Sequence, residues 1–177
     1  AIAAVADAAD HMVVATADIE GRPSARVVLL RGFDERGLCF YTNYDSRKGR
    51  DLADNANAAV VLHWAALHRQ VRAFGTVHRL FASESESYWR NRPRASQLSA
   101  WASRQSDPVS SRADLEDEVE RLERRFRDAE VPLPPFWGGY RVVPSDFEFW
   151  EHRDDRLHDR LRYRSVDAGW ILERLAP

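Results

Sequence analysis

The sequence of 177 residues predicts a mainly β fold: an antiparallel barrel with helical additions. Two observations predict it. Seven or eight short runs of β-branched, aromatic and leucine residues are bounded by turn residues, and three or four helical segments enter after the fourth or fifth strand. Length adds a third, because a chain of this size suits one well-buried domain. A single domain over residues 1–177 is therefore expected.

In order, residues 1–10 read as the tail of an alanine-rich helix, 12–17 as a strand and 18–23 as a turn. Residues 27–30 and 38–42 form a strand pair around the turn Asp34-Glu35-Arg36-Gly37. Ser46 is placed to cap a short helix to residue 55 whose main apolar contact is Leu52. The continuous apolar run 58–64 suits a strand buried on both faces, and 70–80 its neighbour, with Gly75 as a bulge or close approach. Ser83 and Glu86 have capping-box spacing for a helix that ends before Pro93, and 94–102 is a second short helix. The longest helix, 112–128, places Leu115, Val119, Leu122 and Phe126 on one stripe. Its other faces carry Asp117 with Arg121, Glu120 with Arg124 and Glu123 with Arg127. After the stiff connector 131–135 come strands at 137–143, 147–150, 157–164 and 170–175, the last two joined by a turn at 167–169.

Composition excludes several classes. A formal net charge of −2 argues against a general polyanion binder, so no nucleic-acid partner is expected and any anion site must be local. No apolar run approaches a membrane span, and the N-terminus lacks a secretory pattern, so a cytoplasmic location is expected. Cys39, the sole cysteine, reads as a small buried hydrophobe. There is no Walker loop, GxGxxG, GxSxG or paired-histidine metal spacing, so no metal site is expected.

Three stretches can carry chemistry. In residues 26–48, Arg26 and Arg31 bracket a strand, and Ser46 starts a helix whose first turn holds Arg47 and Lys48. A helix N-terminus and two cations at one point suit a phosphate. In residues 156–164, period-two reading puts Arg156, His158, Arg160, Arg162 and Arg164 on one strand face. Either an anionic ligand lies over Arg156, His158 and Arg160, or the face is solvated and paired with acids such as Asp154 and Asp155. Tyr88, Arg92 and Ser96 form a third cluster of good phosphate donors, although each alone has an ordinary structural reading. With cations and aromatics but no nucleophile or metal, an enzyme of this composition would borrow its chemistry from an organic cofactor.

The stretches RVVLLRGFDERGLCFYTNYDSRKG, HRQV, YWRNRPRASQLSAWASRQS, VPLPPFWGGYRV, EFW and RLHDRLRY, with the terminal ERLAP, occur in fixed order from Met12 to Pro177. In this the chain resembles the pyridoxamine 5′-phosphate oxidase family. The resemblance implies an FMN-binding split β-barrel and a homodimer with each flavin at the subunit interface. It implies flavin contacts from Arg26, Val27, Val28, Leu29, Tyr41, Thr42, Arg47, Lys48, Gln70, Gln105, Ser106, Trp150 and Arg160, some of them from the partner subunit. Substrate phosphate would go to Arg31, Tyr88, Arg92 and Ser96, while Arg156 and His158 would lie against the pyridine ring as the catalytic pair. The implied reaction takes pyridoxamine or pyridoxine 5′-phosphate to pyridoxal 5′-phosphate by hydride loss from the 4′ carbon, with dioxygen giving hydrogen peroxide.

Three departures from the family pattern stand out. Arg31 replaces the usual lysine, Glu151-His152 replaces the usual Gln-Gly, and most of an N-terminal segment that helps to close over substrate is expected to be missing. Two other readings share the motifs: a related FMN oxidase with another ring substrate, and a non-catalytic protein binding FMN or pyridoxal phosphate.

Overall fold

The computed structural model of the protein describes residues 9–177. The helix expected over 1–10 therefore lies mostly outside the described residues; Ala9 and Asp10 form a turn. Nine strands and four helices follow. They are β1 (His11–Ala17), β2 (Pro23–Leu29), β3 (Gly32–Asp34), β4 (Gly37–Asn43), α1 (Arg47–Asp54), β5 (Asn57–Trp64), β6 (Arg69–Arg79), α2 (Ala82–Arg90), α3 (Arg94–Ala102), α4 (Arg112–Arg125), β7 (Trp137–Glu151), β8 (Asp159–Val166) and β9 (Gly169–Arg174). The strands form one sheet in the order β2-β1-β5-β6-β7-β4-β3, with β8 paired to β7 and β9 to β8.

By its internal contacts the chain divides into two compact units. The first comprises the chain up to Phe40, Asp51–His78 and Arg141–Pro177. β1 runs antiparallel to both β2 and β5, with Met12 opposite Val28 and Leu62, and Val14 opposite Arg26 and Val60. Met12, Val14, Val60 and Leu62 are buried on one face of these strands, as period-two alternation requires. β5 thus buries one face and not both: Ala58, Val60 and Leu62 point inward, while Asn57, Ala59 and His63 are exposed. Its unbroken apolar appearance comes from Ala59 and half-buried Val61 on the open face. Gly75 is a site of close approach, since a Cβ there would collide with the Val143 carbonyl oxygen. Leu52 and Cys39 are buried as expected.

The second unit comprises Tyr41–Arg50 and Arg79–Tyr140. Its core is Trp89, Leu98, Leu122, Phe126, Val131 and Trp137, with Val119, Trp101 and Phe136 packed against it. Each large apolar side chain so buried contributes roughly 1.5–3 kcal/mol. The Trp89 indole N–H donates to the Val131 carbonyl at 2.8 Å, which satisfies its only polar atom. Ser111 caps α4 by accepting from the Asp114 N–H at 3.1 Å. α4 pairs Glu120 with Arg124 as expected, but Arg121 pairs with Glu118, three residues away, instead of Asp117.

Several elements differ from expectation, among them β2, which begins at Pro23 and not at residue 27, and α4, which ends at Arg125 and not at 128. The N-cap of α2 is Phe81, two residues before Ser83, and its reach-back contact comes from Glu84, whose carboxylate accepts the Phe81 N–H at 3.1 Å, so Ser83 and Glu86 do not form the cap. Ser96 lies inside the first turn of α3, whose N-cap position is Pro93. The segments 137–143 and 147–150 are one continuous strand, β7, through Pro144. β8 begins at Asp159, not at residue 157, so Arg156 and His158 lie in the preceding loop and not on the strand face with Arg160.

Candidate active site

The predicted site residues fall into local clusters, each within one unit. In the second unit, Asn43 begins the first by accepting the Asp45 N–H on its side chain at 2.7 Å. Its carbonyl accepts the Ser46 hydroxyl at 2.6 Å, and Ser46 Oγ accepts the Gly49 N–H at 3.4 Å, so Ser46 is the N-cap of α1. Gly49 permits the tight entry, because a Cβ there would strike the Tyr44 carbonyl oxygen. Lys48 is buried by this turn, and its ammonium donates to Thr42 Oγ1 at 3.0 Å, Ser46 Oγ at 3.1 Å and Gln105 Oε1 at 2.6 Å. Ser106, held at φ 80°, accepts the Arg47 N–H on its hydroxyl at 3.1 Å. Thr42, Arg47, Lys48, Gln105 and Ser106 thus lie around the start of α1, while Tyr41 belongs to the next cluster.

The second cluster is built on aromatic rings. Tyr41 and Tyr88 stack with centroids 3.8 Å apart and planes 7° apart, and Trp137 lies nearly parallel, 5.7 Å from Tyr41. The Arg92 guanidinium sits 4.8 Å from the Trp137 centroid, and its Nη2 donates to the Ser96 carbonyl at 3.3 Å. Arg92 Nε is buried without a hydrogen-bond partner. A desolvated, unused donor on a permanent cation is costly alone and favours an anion beside it. Trp137 was not among the expected site residues; the WGG run that enters β7 was its only signal.

In the first unit, Arg26 on β2 donates to Thr16 Oγ1 at 2.8 Å and Ser24 Oγ at 2.6 Å, with buried Asp51 at 3.8 Å. Val27 and Leu29 are exposed, Val28 is half-buried, and Gln70 sits half-buried on β6 opposite His63. Arg31 Nη1 donates to Asp10 Oδ2 at 2.9 Å. On β8, Arg160 Nε donates to buried Glu148 at 2.8 Å, Arg162 pairs with Asp146, and Arg164 lies 3.8 Å from Glu173. The Arg160 hydrogen bond, aided by the Arg160 and Arg72 charges, holds the Glu148 carboxyl below the ordinary glutamate range against the opposing effect of burial. These acids, and not Asp154 and Asp155, neutralise the arginine face. Trp150 and His158 meet with centroids 4.9 Å apart, and Arg156 lies exposed in the loop at φ 64°.

Among the described residues no group of three or more His, Cys, Asp or Glu side chains is placed to hold a metal ion, and no helix is long and apolar enough to cross a membrane. The two cations Arg47 and Lys48 in the first turn of α1 fit the phosphate of a mononucleotide.

The fold is that of a solved Nostoc punctiforme protein described as pyridoxamine 5′-phosphate oxidase-related and FMN-binding. It is 19% identical, with a TM-score of 0.78 over 99% of this chain and 93% of that one. The architecture, with the family matches that follow, places the chain among the FMN-binding split-barrel oxidoreductases. Residues 1–126 match the family model for pyridoxamine 5′-phosphate oxidase, and residues 137–177 match the pyridoxine 5′-phosphate oxidase C-terminal dimerisation region. The chain belongs to the pyridoxamine 5′-phosphate oxidase family. Pyridoxine/pyridoxamine 5′-phosphate oxidase of Rubrobacter xylanophilus is 56% identical over 94% of this chain and 76% of its own length. The enzyme of the same name from Bordetella petrii is 51% identical over 100% and 84%. PhzG of Burkholderia lata, solved with tetrahydrophenazine-1-carboxylic acid, is 33% identical, with a TM-score of 0.92 over 99% of this chain and 88% of that one.

Proposed function

We propose that this protein oxidises pyridoxamine or pyridoxine 5′-phosphate to pyridoxal 5′-phosphate, with dioxygen as acceptor and hydrogen peroxide as by-product. The observation that carries the reading is the presence, in one unit, of two separate cationic clusters, Arg47 and Lys48 at the start of α1 and Arg92 with its unpartnered Nε. A phosphorylated cofactor and a phosphorylated substrate require that number.

In this reading Lys48, Arg47, Thr42 and Ser106 hold the FMN phosphate. Arg26, residues 27–29, Tyr41, Gln70, Gln105, Trp150 and Arg160 complete the flavin shell. When bound, FMN supplies a two-electron acceptor that dioxygen reoxidises. Arg92, Tyr88, Ser96 and Arg31 take the substrate phosphate, and their binding energy orients the ring at a distance from the reacting carbon. Arg156 stabilises charge as it develops on the pyridine, and His158 holds the ring in place. The amine substrate consumes one water and releases ammonia; the alcohol requires neither.

The protein is read as a cytoplasmic homodimer with flavin at the interface, acting in pyridoxal 5′-phosphate synthesis and salvage. The match to a dimerisation region supports the dimer, as do the adjacent exposed side chains of Trp170, Ile171 and Leu172 on β9. The test is anaerobic addition of pyridoxamine 5′-phosphate to the FMN-loaded protein, with bleaching of the flavin absorbance expected, then peroxide release on admitting air. A loaded protein that stays yellow is not this oxidase, whether it binds FMN as a carrier or serves another ring substrate. Arg156→Ala is expected to keep FMN and lose at least tenfold in kcat/KM, about 1.4 kcal/mol of transition-state stabilisation.

A further inference from the structure

We propose that His152 is a positioning residue for His158, and that the loop joining β7 to β8 fixes His158 as the tautomer offering its Nε2–H as a hydrogen-bond donor. The inference rests on the reading of His158 as a contact to the substrate ring.

The tautomer follows from one hydrogen bond. The backbone N–H of Arg153 donates to His158 Nδ1 at 3.0 Å. A neutral imidazole accepts at one nitrogen and donates at the other, so the proton belongs on Nε2. In that form His158 donates toward an oxygen or a ring nitrogen and does not draw a proton through Nε2. The loop is shaped for this bond: Arg156 turns it at φ 64°, with its N–H on the Arg153 carbonyl at 3.1 Å, and the Arg153 side chain is anchored on Asp159 at 2.8 Å.

The position of the ring follows from a file of aromatic contacts. His158 meets Trp150 at 4.9 Å and His152 at 5.1 Å between centroids, and His152 meets His68 at 5.5 Å. The His152 N–H also donates to the His68 carbonyl at 3.0 Å. His68 sits in the left-handed region at φ 53° and closes the 3-10 turn Ala65–Leu67 between β5 and β6. The turn at Ala65–His68 is thereby joined to His158 through the ring of His152. A glycine at 152 would retain the backbone bond and lose the ring contacts to His68, Trp150 and His158, together with the 3.4 Å contact of His152 Nε2 to Asp154. Position 152 is thus where this chain adds an aromatic brace to a loop that the resemblance gives as Gln-Gly.

The test uses FMN-loaded protein labelled with 15N-histidine. Two-bond proton–nitrogen correlations are expected to show His158 with bare Nδ1 and protonated Nε2; an Nδ1–H tautomer overturns the proposal. His152→Gly is expected to raise KM for pyridoxamine 5′-phosphate about threefold to tenfold, the scale of one lost aromatic contact, and to shift the His158 ring signals. FMN affinity stays as in the parent chain. His152→Phe restores the ring and is expected to hold KM within about twofold of the parent, on the same contact scale. Unchanged KM and ring signals in the glycine variant, or the same raised KM in both variants, would equally overturn it. Should the glycine variant fail to take up FMN, His152→Leu replaces it with the same expected rise. A parent protein that does not oxidise pyridoxamine 5′-phosphate ends the functional reading, while the tautomer is still read from the labelled protein.

Discussion

Arg31 is engaged by its own chain before any substrate arrives. Its guanidinium pairs with Asp10 at 2.9 Å, and both side chains are about one-third exposed (35% and 39%), so the carboxylate competes with a phosphate for the same donors. An ion pair this exposed is worth about 0–1 kcal/mol. Asp10→Asn is therefore expected to lower KM for pyridoxamine 5′-phosphate about twofold to fivefold with kcat unchanged, as steady-state kinetics would read; an unchanged or higher KM would remove Arg31 from the phosphate site. At this scale the local parts of the site were legible in the sequence. Ser46, Arg47 and Lys48 sit within three consecutive positions of a helix start, and their spacing alone placed them together. Gln105 and Ser106 come from nearly sixty positions downstream, and only the family resemblance linked them to Lys48. Glu148 left a signal that went unread: Asp146 and Glu148 alternate with aromatics on β7 just as the arginines alternate on β8, so two period-two patterns lay opposite one another.

Element boundaries were lost where the backbone departs from the regular pattern. Pro144, which has no N–H to give a ladder, made β7 look interrupted, yet the strand runs through it. The run from Arg156 to Arg164 alternates well enough to be one strand, but positive φ at Arg156 bends the chain, and pairing starts only at Asp159. That bend is a three-dimensional property no residue in RLHDR announces. α1 was readable because its cap, its basic first turn and its buried Leu52 agree. The same helix start makes a sharp prediction: with no room for a Cβ at Gly49, Gly49→Ala must shift the Tyr44–Ser46 turn that buries Lys48. FMN affinity is expected to fall at least tenfold in a fluorescence-quenching titration, about 1.4 kcal/mol, and an alanine variant with parental affinity would uncouple that turn from the cofactor.

Over the whole molecule, acid stability follows from the arginine–carboxylate lattice of β7 and β8. Glu148 has a folded-state pKa below its unfolded value of about 4.3, so its contribution is complete above that pH and is lost as pH falls through the folded value. Glu148→Gln is expected to lower stability at neutral pH by about 1–3 kcal/mol, the cost of weakening a charge-assisted hydrogen bond at a buried acceptor. Thermal melts should show the gap between parent and variant closing below about pH 4; a gap independent of pH would mean that the charge is not what matters. The fold class was legible from strand count and late helices because those signals are summed over many residues, whereas the division into two units depends on long-range packing that composition does not encode. The Lys48 ammonium, shared by Thr42 and Gln105, joins stretches of chain 63 positions apart through a single cation. A ligand that binds there acts as a removable cross-link, and at one hundred times its dissociation constant it adds about 2.7 kcal/mol to the folded state. Where proteolysis tracks the open population, that is roughly a hundredfold in susceptibility, so limited proteolysis would register occupancy of that site before any catalytic rate did.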